Sequence, residues 1–194
     1  MRTNRYAGRR VAPARKRKTF WTEYGYLLVT VAVMFLLFRV VLQLAWVPSG
    51  SMETTIPTRS LLVSWRLPYL VSDPELQRGD VVTFQSDELG KLLVKRVVGL
   101  PGDEVSFHDG NVYINDKLLL ESYLPQQGVT GARGNVLFCV PEGCYFMLGD
   151  NRGASEDSRF WDNPYIPGEA MQAKVMLVVS PFKESCWRGI RSVD

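Results

Sequence analysis

The sequence predicts a mainly β domain carried on one N-terminal transmembrane helix. Three observations lead to this prediction. Basic residues crowd the start of the chain, a long apolar run follows them, and in the remainder short segments rich in β-branched and aromatic residues are separated by Gly, Pro, Asp and Asn. A chain of 194 residues suffices for one domain with a hydrophobic core and an anchor. We therefore divide it into a basic tail at 1–21, an anchor at 22–39 and a β-rich domain at 40–194.

The basic tail is typical of the cytoplasmic flank of a membrane helix. Eight of the 23 Lys and Arg residues precede the first acidic residue, Glu23, so the remainder carries 15 basic and 20 acidic residues and a net charge of −5. A basic tail could also bind nucleic acid. Because this tail directly precedes an apolar run, the positive-inside rule favours a cytoplasmic N-terminus and a domain outside the membrane.

The apolar run from Tyr24 to Phe38 predicts the anchor. It is short for the ~20 residues that the hydrocarbon core requires, but Arg39 can extend it by reaching toward the head groups. A buried core helix is disfavoured because little chain precedes the run to cover it. A cleaved signal peptide is disfavoured because no small-x-small site follows the run before Pro48. Aromatic residues suited to the membrane interfaces lie around the run: Trp21, Tyr24, Tyr26 and Trp46.

The rest of the chain is predicted to form strands. A hairpin is expected at Asp109-Gly110, because this dipeptide favours a tight turn between two alternating segments. The segments 124–135 and 149–164 are predicted loops, since the first is polar and rich in Gly and the second is dense in Asp, Asn, Arg and Ser. The predicted strands are SLLVSW, DVVTF, KLLVKRVVG, DEVSF, NVYIN, NVLFCV, YFMLG and AKVMLVVS.

The cysteines and the histidine predict neither a metal site nor a Ser-His-Asp triad. Cys139 and Cys144 flank a Pro-Glu-Gly turn, so a disulfide between them is expected in an oxidising compartment, with three free thiols as the alternative. Cys186 is left over. The only histidine, His108, adjoins the predicted hairpin turn, where we expect it to be solvated.

Two serines follow the anchor in the stretch VPSGSMETTI, and a serine becomes a nucleophile only when a base takes its proton. The remaining candidate base is Lys95, which shares a strand face with Leu93 and Val97. If that face is buried, the pKa of the lysine falls and the neutral amine can accept a proton. The alternative is that Lys95 reaches solvent or pairs with a carboxylate.

Four motifs occur here in the order found in type I signal peptidases. They are PSGSM at 48–52, RGDVVTF at 78–84, KRVVGLPGD at 95–103 and GDNRGASEDSR at 149–159. The chain resembles this family over about 39–181, and its single anchor resembles the compact form found in Gram-positive and several other bacteria. The resemblance implies a serine-lysine endopeptidase in the bacterial cytoplasmic membrane. Such enzymes need no cofactor or metal and remove signal peptides from exported preproteins after small residues in an Ala-x-Ala pattern.

The resemblance also implies roles for individual residues. Ser51 matches the nucleophile and Lys95 the general base. Supporting roles fall to Ser49, whose hydroxyl joins the Ser51 N–H in the oxyanion hole, to Ser155, which orients the lysine, and to Asp157 and Arg159, which form a structural ion pair. Met52 is a candidate wall of a substrate pocket, and the substrate is expected to add as a strand along an exposed sheet edge.

The sequence departs from the family pattern just after the nucleophile. Thr54 stands where proline is expected, and Arg59-Ser60 stands where Gly-Asp is expected. These changes bear on the local backbone and on substrate range. The expected partners are preproteins, the lipid bilayer and a nearby secretion translocon, and no nucleic acid. Competing interpretations are a pilus- or conjugation-type processing peptidase, a relative of the self-cleaving repressors, and an inactive anchored scaffold.

Overall fold

The computed structural model describes residues 20–72, 75–132, 136–180 and 190–192. Residues 1–19 of the basic tail and Cys186 lie outside these residues, so the predictions made for them stay predictions, whereas residues 20 and 21 of the tail belong to the N-terminal helix. The chain divides into two compact units, 1–37 and 38–194. The predicted fold class is confirmed, since one N-terminal apolar helix is followed by a mainly β domain.

The N-terminal helix, α1, spans Phe20–Val41 and is 22 residues long. At ~1.5 Å per residue it extends about 33 Å, enough for a hydrocarbon core of ~30 Å. The window Tyr24–Val41 has a mean hydropathy of 2.1, and 0% of it is buried. By length and composition the helix is therefore suited to cross a membrane, with Arg39 in its last turn.

The second unit begins at the end of α1 and builds two antiparallel sheets. Apart from a single 3₁₀ turn at Gly168–Ala170, its described elements in chain order are β1 (Leu42–Trp46), β2 (Leu61–Trp65), α2 (Leu67–Val71), β3 (Val81–Ser86), β4 (Lys91–Gly99), β5 (Glu104–His108), β6 (Asn111–Ile114), β7 (Lys117–Leu118), β8 (Leu137–Cys139), β9 (Cys144–Leu148), β10 (Tyr165–Pro167), β11 (Met171–Val179) and β12 (Ile190–Ser192).

The larger sheet has the strand order β1-β2-β11-β3-β4-β9-β10, with β12 also paired to β11. Strand β4 lies in its interior and is buried from Lys95 to Gly99. Val97 packs in one core cluster with Phe84 and Met147, whereas Val98 packs in another with Phe146. Both faces of β4 are therefore covered, which places any polar side chain in this half of the strand inside the protein.

The smaller sheet has the order β7-β6-β5-β8. The predicted hairpin is confirmed, because β5 and β6 are joined at His108 and Asn111 by a two-residue turn. Asp109 and Gly110 both have positive φ, 49° and 76°, as a type I′ turn requires. Phe107 and Phe146 belong to the core cluster that joins the two sheets.

The expected disulfide is wrong. Cys139 and Cys144 are both free thiols. The turn between them does not close a hairpin, because Cys139 pairs with Glu104 of β5 in the smaller sheet while Cys144 begins β9 in the larger one. The strands that contain Cys139 and Cys144, β8 and β9, therefore belong to different sheets.

Strand β1 was not predicted, because QLAW prolongs the apolar run of the anchor. It pairs with β2 over its full length, from Leu42 opposite Trp65 to Trp46 opposite Leu61. The stretch 47–60, which holds both candidate serines, thus becomes the connection between two paired strands. Its position is set by that pairing.

Candidate active site

The loop that carries the candidate serines is anchored by its apolar residues. Met52 and Ile56 are 1% and 0% exposed and belong to a core cluster with Leu62. Backbone hydrogen bonds from Glu53 N to Gly50 O (3.1 Å) and from Thr55 N to Met52 O (2.9 Å) form successive turns. Ser51, directly before Met52, is half-buried.

Lys95 is the buried polar residue of β4. Its side chain is 2% exposed, and its Nζ donates a hydrogen bond of 2.8 Å to Ser155 Oγ. Burial lowers the pKa of this amine from 10.5 to about 8, against the opposing influence of Asp157, and Arg159 lowers it further. Among the described residues Lys95 makes no ion pair, so it neither reaches solvent nor pairs with a carboxylate.

Gly149 separates the lysine side of the site from the serine loop. In the antiparallel register Leu148 lies opposite Arg96, so Gly149 follows at the level of Lys95. A Cβ atom on Gly149 would lie 2.1 Å from Ser155 Oγ and 2.6 Å from the Ser51 carbonyl oxygen. These two atoms therefore flank one small space that only glycine can occupy.

The segment that follows β9 fixes the backbone of the serine loop. Asn151 N donates to Ser51 O at 3.0 Å, and Asn151 Nδ2 donates to Gly50 O at 2.9 Å. Thr55 Oγ1 donates to the Asp150 carboxylate. Within the described parts of the chain the Ser51 N–H has no hydrogen-bond acceptor, so it is free to donate to a substrate.

A cavity of about 300 Å³ brings the candidate residues together. Ser49, Ser51 and Lys95 all line it, with Asn151 and Glu156 among the other lining residues. Ser49 is exposed, and its hydroxyl has no hydrogen-bond partner among the residues that the structure describes. The arrangement offers a hydroxyl, a shielded amine and two candidate oxyanion donors at one surface opening.

Three buried arginine–carboxylate pairs support the segment 149–159. Arg159 Nε lies 2.8 Å from Asp157 Oδ1, and Asp157 Oδ2 accepts a hydrogen bond of 3.0 Å from Gly149 N. Sequence reasoning named this pair from the resemblance. Its carboxylate connects directly to the glycine between Ser155 and Ser51.

The other two pairs were missed from the sequence. Arg96 donates to both oxygens of Asp150 at 2.9 and 2.7 Å, across 54 positions of the chain. Arg152 pairs with Glu121, and its Nε donates to Gly149 O at 3.1 Å. A signal was present in the unusual density of charged residues in GDNRGASEDSR, but no local pattern gives the partners.

The remaining sequence-predicted residues lie away from the cavity or show local strain. His108 is exposed at the end of β5 and contacts the edge of Tyr113 at 5.6 Å between ring centroids. Thr54 is exposed. Arg59 has φ 62°, a left-handed conformation that favours glycine, so the departure from Gly-Asp leaves a strained residue in the connection between β1 and β2.

The described residues contain no group of three or more His, Cys, Asp or Glu that could hold a metal ion.

Replacing Gly149 with alanine is expected to lower kcat/KM by a factor on the order of 10² and the free energy of unfolding by about 1–3 kcal/mol. The added Cβ must displace Ser155 Oγ or the Ser51 carbonyl, which it would approach at 2.1 and 2.6 Å. Gly153→Ala is the matched control, because nothing lies within 4 Å of a Cβ built there. Steady-state activity and thermal unfolding test this, and wild-type activity in Gly149→Ala would show that the close approach has no role.

The sequence also matches a known family of proteins. Residues 21–180 match the family model described as signal peptidase, peptidase S26. A probable signal peptidase I-2 of Synechocystis is 35% identical over 164 residues, covering 81% of this chain and 72% of that protein. Signal peptidase I of Bacillus licheniformis is 37% identical over 153 residues, covering 74% and 80%. A crystal structure of a signal peptidase I from Enterococcus faecalis aligns at 32% identity with a TM-score of 0.43, covering 52% of this chain and 97% of that one.

Proposed function

The chain belongs to the peptidase S26 family and is a signal-peptide-cleaving serine peptidase, and on this premise we propose that Ser51 is its nucleophile and Lys95 its general base. The observation that carries the proposal is the buried Lys95 amine, hydrogen-bonded to Ser155 and lining one cavity with Ser51. A neutral amine that donates one hydrogen bond to Ser155 keeps its lone pair for a further proton. It can therefore take the Ser51 proton as the oxygen attacks the scissile carbonyl.

The same lysine serves the later steps. As an ammonium it protonates the leaving amine, and as an amine again it activates the water that hydrolyses the acyl-enzyme. The oxyanion accepts hydrogen bonds from the Ser51 N–H, which has no acceptor in the described parts of the chain, and from the Ser49 hydroxyl. Ser155 orients the amine, and the Asp157–Arg159 pair holds the segment on which Ser155 lies.

The substrate is proposed to bind as a strand along the first half of β4. Among the described residues, 91–95 pair with β3 on one side only, whereas pairing with β9 begins at Arg96. An apolar pocket of about 130 Å³ lies next to this free edge and is lined by Val47, Met52, Ile56 and Val94 among others. A pocket of this size suits the small side chains of an Ala-x-Ala site, and Met52 is one of its walls.

Membrane attachment is the remaining part of the proposal. Helix α1 is long and apolar enough to cross a bilayer, and the basic residues before it favour a cytoplasmic N-terminus. The catalytic domain would then face the outer side of the bacterial cytoplasmic membrane, near the secretion translocon, where signal peptides emerge.

The proposal is tested by incubating the full chain in detergent with a preprotein that carries an Ala-x-Ala site. Cleavage directly after that site, located by mass spectrometry of the new N-terminus, is the expected result, and Ser51→Ala is the blank. A matched preprotein with tryptophan at the −1 position should stay uncut, because the pocket is too small for that side chain. Equal cutting of both preproteins, or a product from Ser51→Ala, would contradict the proposal.

Activity is expected to rise with pH and to level off above about pH 8. Only the neutral amine accepts the Ser51 proton, and burial lowers the pKa of Lys95 from 10.5 to about 8. Below that pKa the neutral fraction, and with it kcat/KM, falls by about tenfold per pH unit. A profile of kcat/KM between pH 5 and 10, taken with a substrate free of titratable groups near the cut, measures this. An optimum on the acid side would exclude a lysine base.

A further inference from the structure

The cavity at the serine loop has two parts, and Ser51 lines both of them. The first part is the apolar pocket defined above, which is lined by Met52 and Ile56 but not by Lys95. The second part, here called the base-side cavity, is lined by Lys95, Asn151 and Glu156, none of which lines the first. Both parts share the residues of the loop and of the β4 edge: Ser49, Ser51, Lys91 and Leu93.

The chemistry assigns a direction to a substrate that crosses both parts. When the peptide bond breaks, its nitrogen leaves as an amine and takes a proton from the Lys95 ammonium. The residues after the cut must therefore lie on the Lys95 side of Ser51, over the base-side cavity. The residues before the cut, which stay bound to Ser51 as the acyl group, extend toward the apolar pocket.

Glu156 places a negative charge in the base-side cavity. Its neighbours Ser155 and Asp157 are buried, 5% and 0% exposed, whereas Glu156 is exposed. Across the described residues the Glu156 carboxylate makes no hydrogen bond and no ion pair. It is therefore free to interact with a charge that a substrate brings. Its field reaches the reacting groups, since it raises the pKa of Lys95.

The opposing cation of the cavity is Lys91, at the start of β4. Lys91 is exposed and lines both parts of the cavity, so its charge acts on residues on both sides of the cut. Glu156 lines only the base-side cavity. Lys95 also lines only this cavity, but it is neutral in the form that takes the Ser51 proton. In that form, the charge that distinguishes the base-side cavity from the apolar pocket is the negative charge of Glu156.

We infer that Glu156 is a specificity-determining residue that favours basic over acidic side chains in the first residues of the mature protein. The inference rests on the proposed function, because it uses the direction of the leaving group. The interaction is between solvated charges, so its effect is modest. We expect about a fivefold preference in kcat/KM for lysine over aspartate at low salt, falling toward unity near 1 M salt, where the screening length is only ~3 Å.

The test uses preproteins that differ only at the first or the second residue after the cut, with lysine, glutamine or aspartate there. Wild-type chain should cleave them in the order lysine, glutamine, aspartate at one or both positions. Glu156→Gln should bring the three rates together, and Glu156→Lys should reverse their order. Lys91→Gln should increase the preference for lysine. Glu142→Gln, an exposed acid in the turn before β9, is the matched control and should keep the wild-type order.

The ratio of kcat/KM between two substrates separates a charge preference from a change in activity that is the same for every substrate. Removal of the Glu156 charge should lower the pKa of Lys95 and shift the pH profile to lower pH, but equally for every substrate. An unchanged lysine-to-aspartate ratio in Glu156→Gln, or no charge preference in the wild type, would overturn the inference while leaving the proposed function intact. If the wild-type chain cuts none of the preproteins, the proposed function itself fails.

Discussion

Replacing Lys95 with methionine is expected to lower kcat/KM for a preprotein by a factor on the order of 10⁴ while raising the stability of the domain. Methionine fills a similar space but accepts no proton, so Ser51 keeps its hydroxyl hydrogen. Ser155 would still lie beside the site, because its position depends on the segment 149–159. Loss of cleavage in a folded protein is therefore the expected signature.

The gain in stability follows from the sign of the pKa change. Folding lowers the pKa of Lys95 from 10.5 to about 8, so at pH 7 the fold must bury an ammonium that the unfolded chain leaves in water. This burial costs about 3 kcal/mol. The unfolded state binds the proton more tightly, so the free energy of unfolding of the wild type should rise between about pH 8 and 10.5. Lys95→Met should lack that rise.

Urea unfolding at pH 7 and pH 10, together with cleavage rates, measures both effects. Lys117→Met is the matched control, because Lys117 is exposed and its replacement should change neither rate nor stability appreciably. Retained turnover in Lys95→Met would remove Lys95 as the base. A variant less stable than wild type at pH 7 would show that burial of the amine is not costly.

Alanine in place of Ser51 is expected to reduce cleavage to background, a loss on the order of 10⁶. Alanine in place of Ser49 is expected to slow cleavage by only ~10²–10³, the usual effect of losing one oxyanion donor. The two changes are chemically identical and concern residues of one cavity. Neither hydroxyl has a partner among the described residues, so each substitution should alter the free energy of unfolding by less than about 0.5 kcal/mol.

The difference between the two variants assigns the nucleophile. With wild type and Ser49→Ala, rapid mixing followed by mass spectrometry should detect an acyl-enzyme on Ser51, and with Ser51→Ala it should not. If both variants lose equally little activity, or if the acyl group is found on Ser49, the assignment is wrong.

Local patterns predicted the fold wherever they were strong. KLLVKRVVG forms β4 over the same nine residues, and Asp109-Gly110 makes the expected hairpin turn. Strand β1 escaped detection because its apolar residues continue those of α1. The disulfide was wrong because a turn sequence predicts a local bend, whereas the partners of the flanking strands are set by long-range pairing of Cys139 with one sheet and Cys144 with the other.

The candidate site was less accessible to pattern reasoning. Alternation along β4 identified the neighbours of Lys95 but could not tell which face is buried, because in the structure both faces are buried from Lys95 onward. The ordered motifs supplied the candidate residues through resemblance. The contacts that connect them, such as Arg96 with Asp150 and Arg152 with Glu121, join positions 54 and 31 residues apart. Such pairs depend on the folded arrangement of strands and loops, which no local window contains.

The buried arginine–carboxylate pairs also limit how this enzyme can evolve. Each pair joins two residues that are almost inaccessible to water. Removal of one member leaves the other charge buried without a partner, which lowers the free energy of unfolding by about 3–5 kcal/mol. A domain with typical marginal stability tolerates little more than one such loss. Exchange of Glu121 or Arg152 therefore requires a nearly simultaneous compensating change, whereas Glu156, which lacks such a partner among the described residues, can change without that loss of stability. Amino-acid changes should therefore accumulate at exposed cavity residues such as Glu156 rather than at the buried pairs.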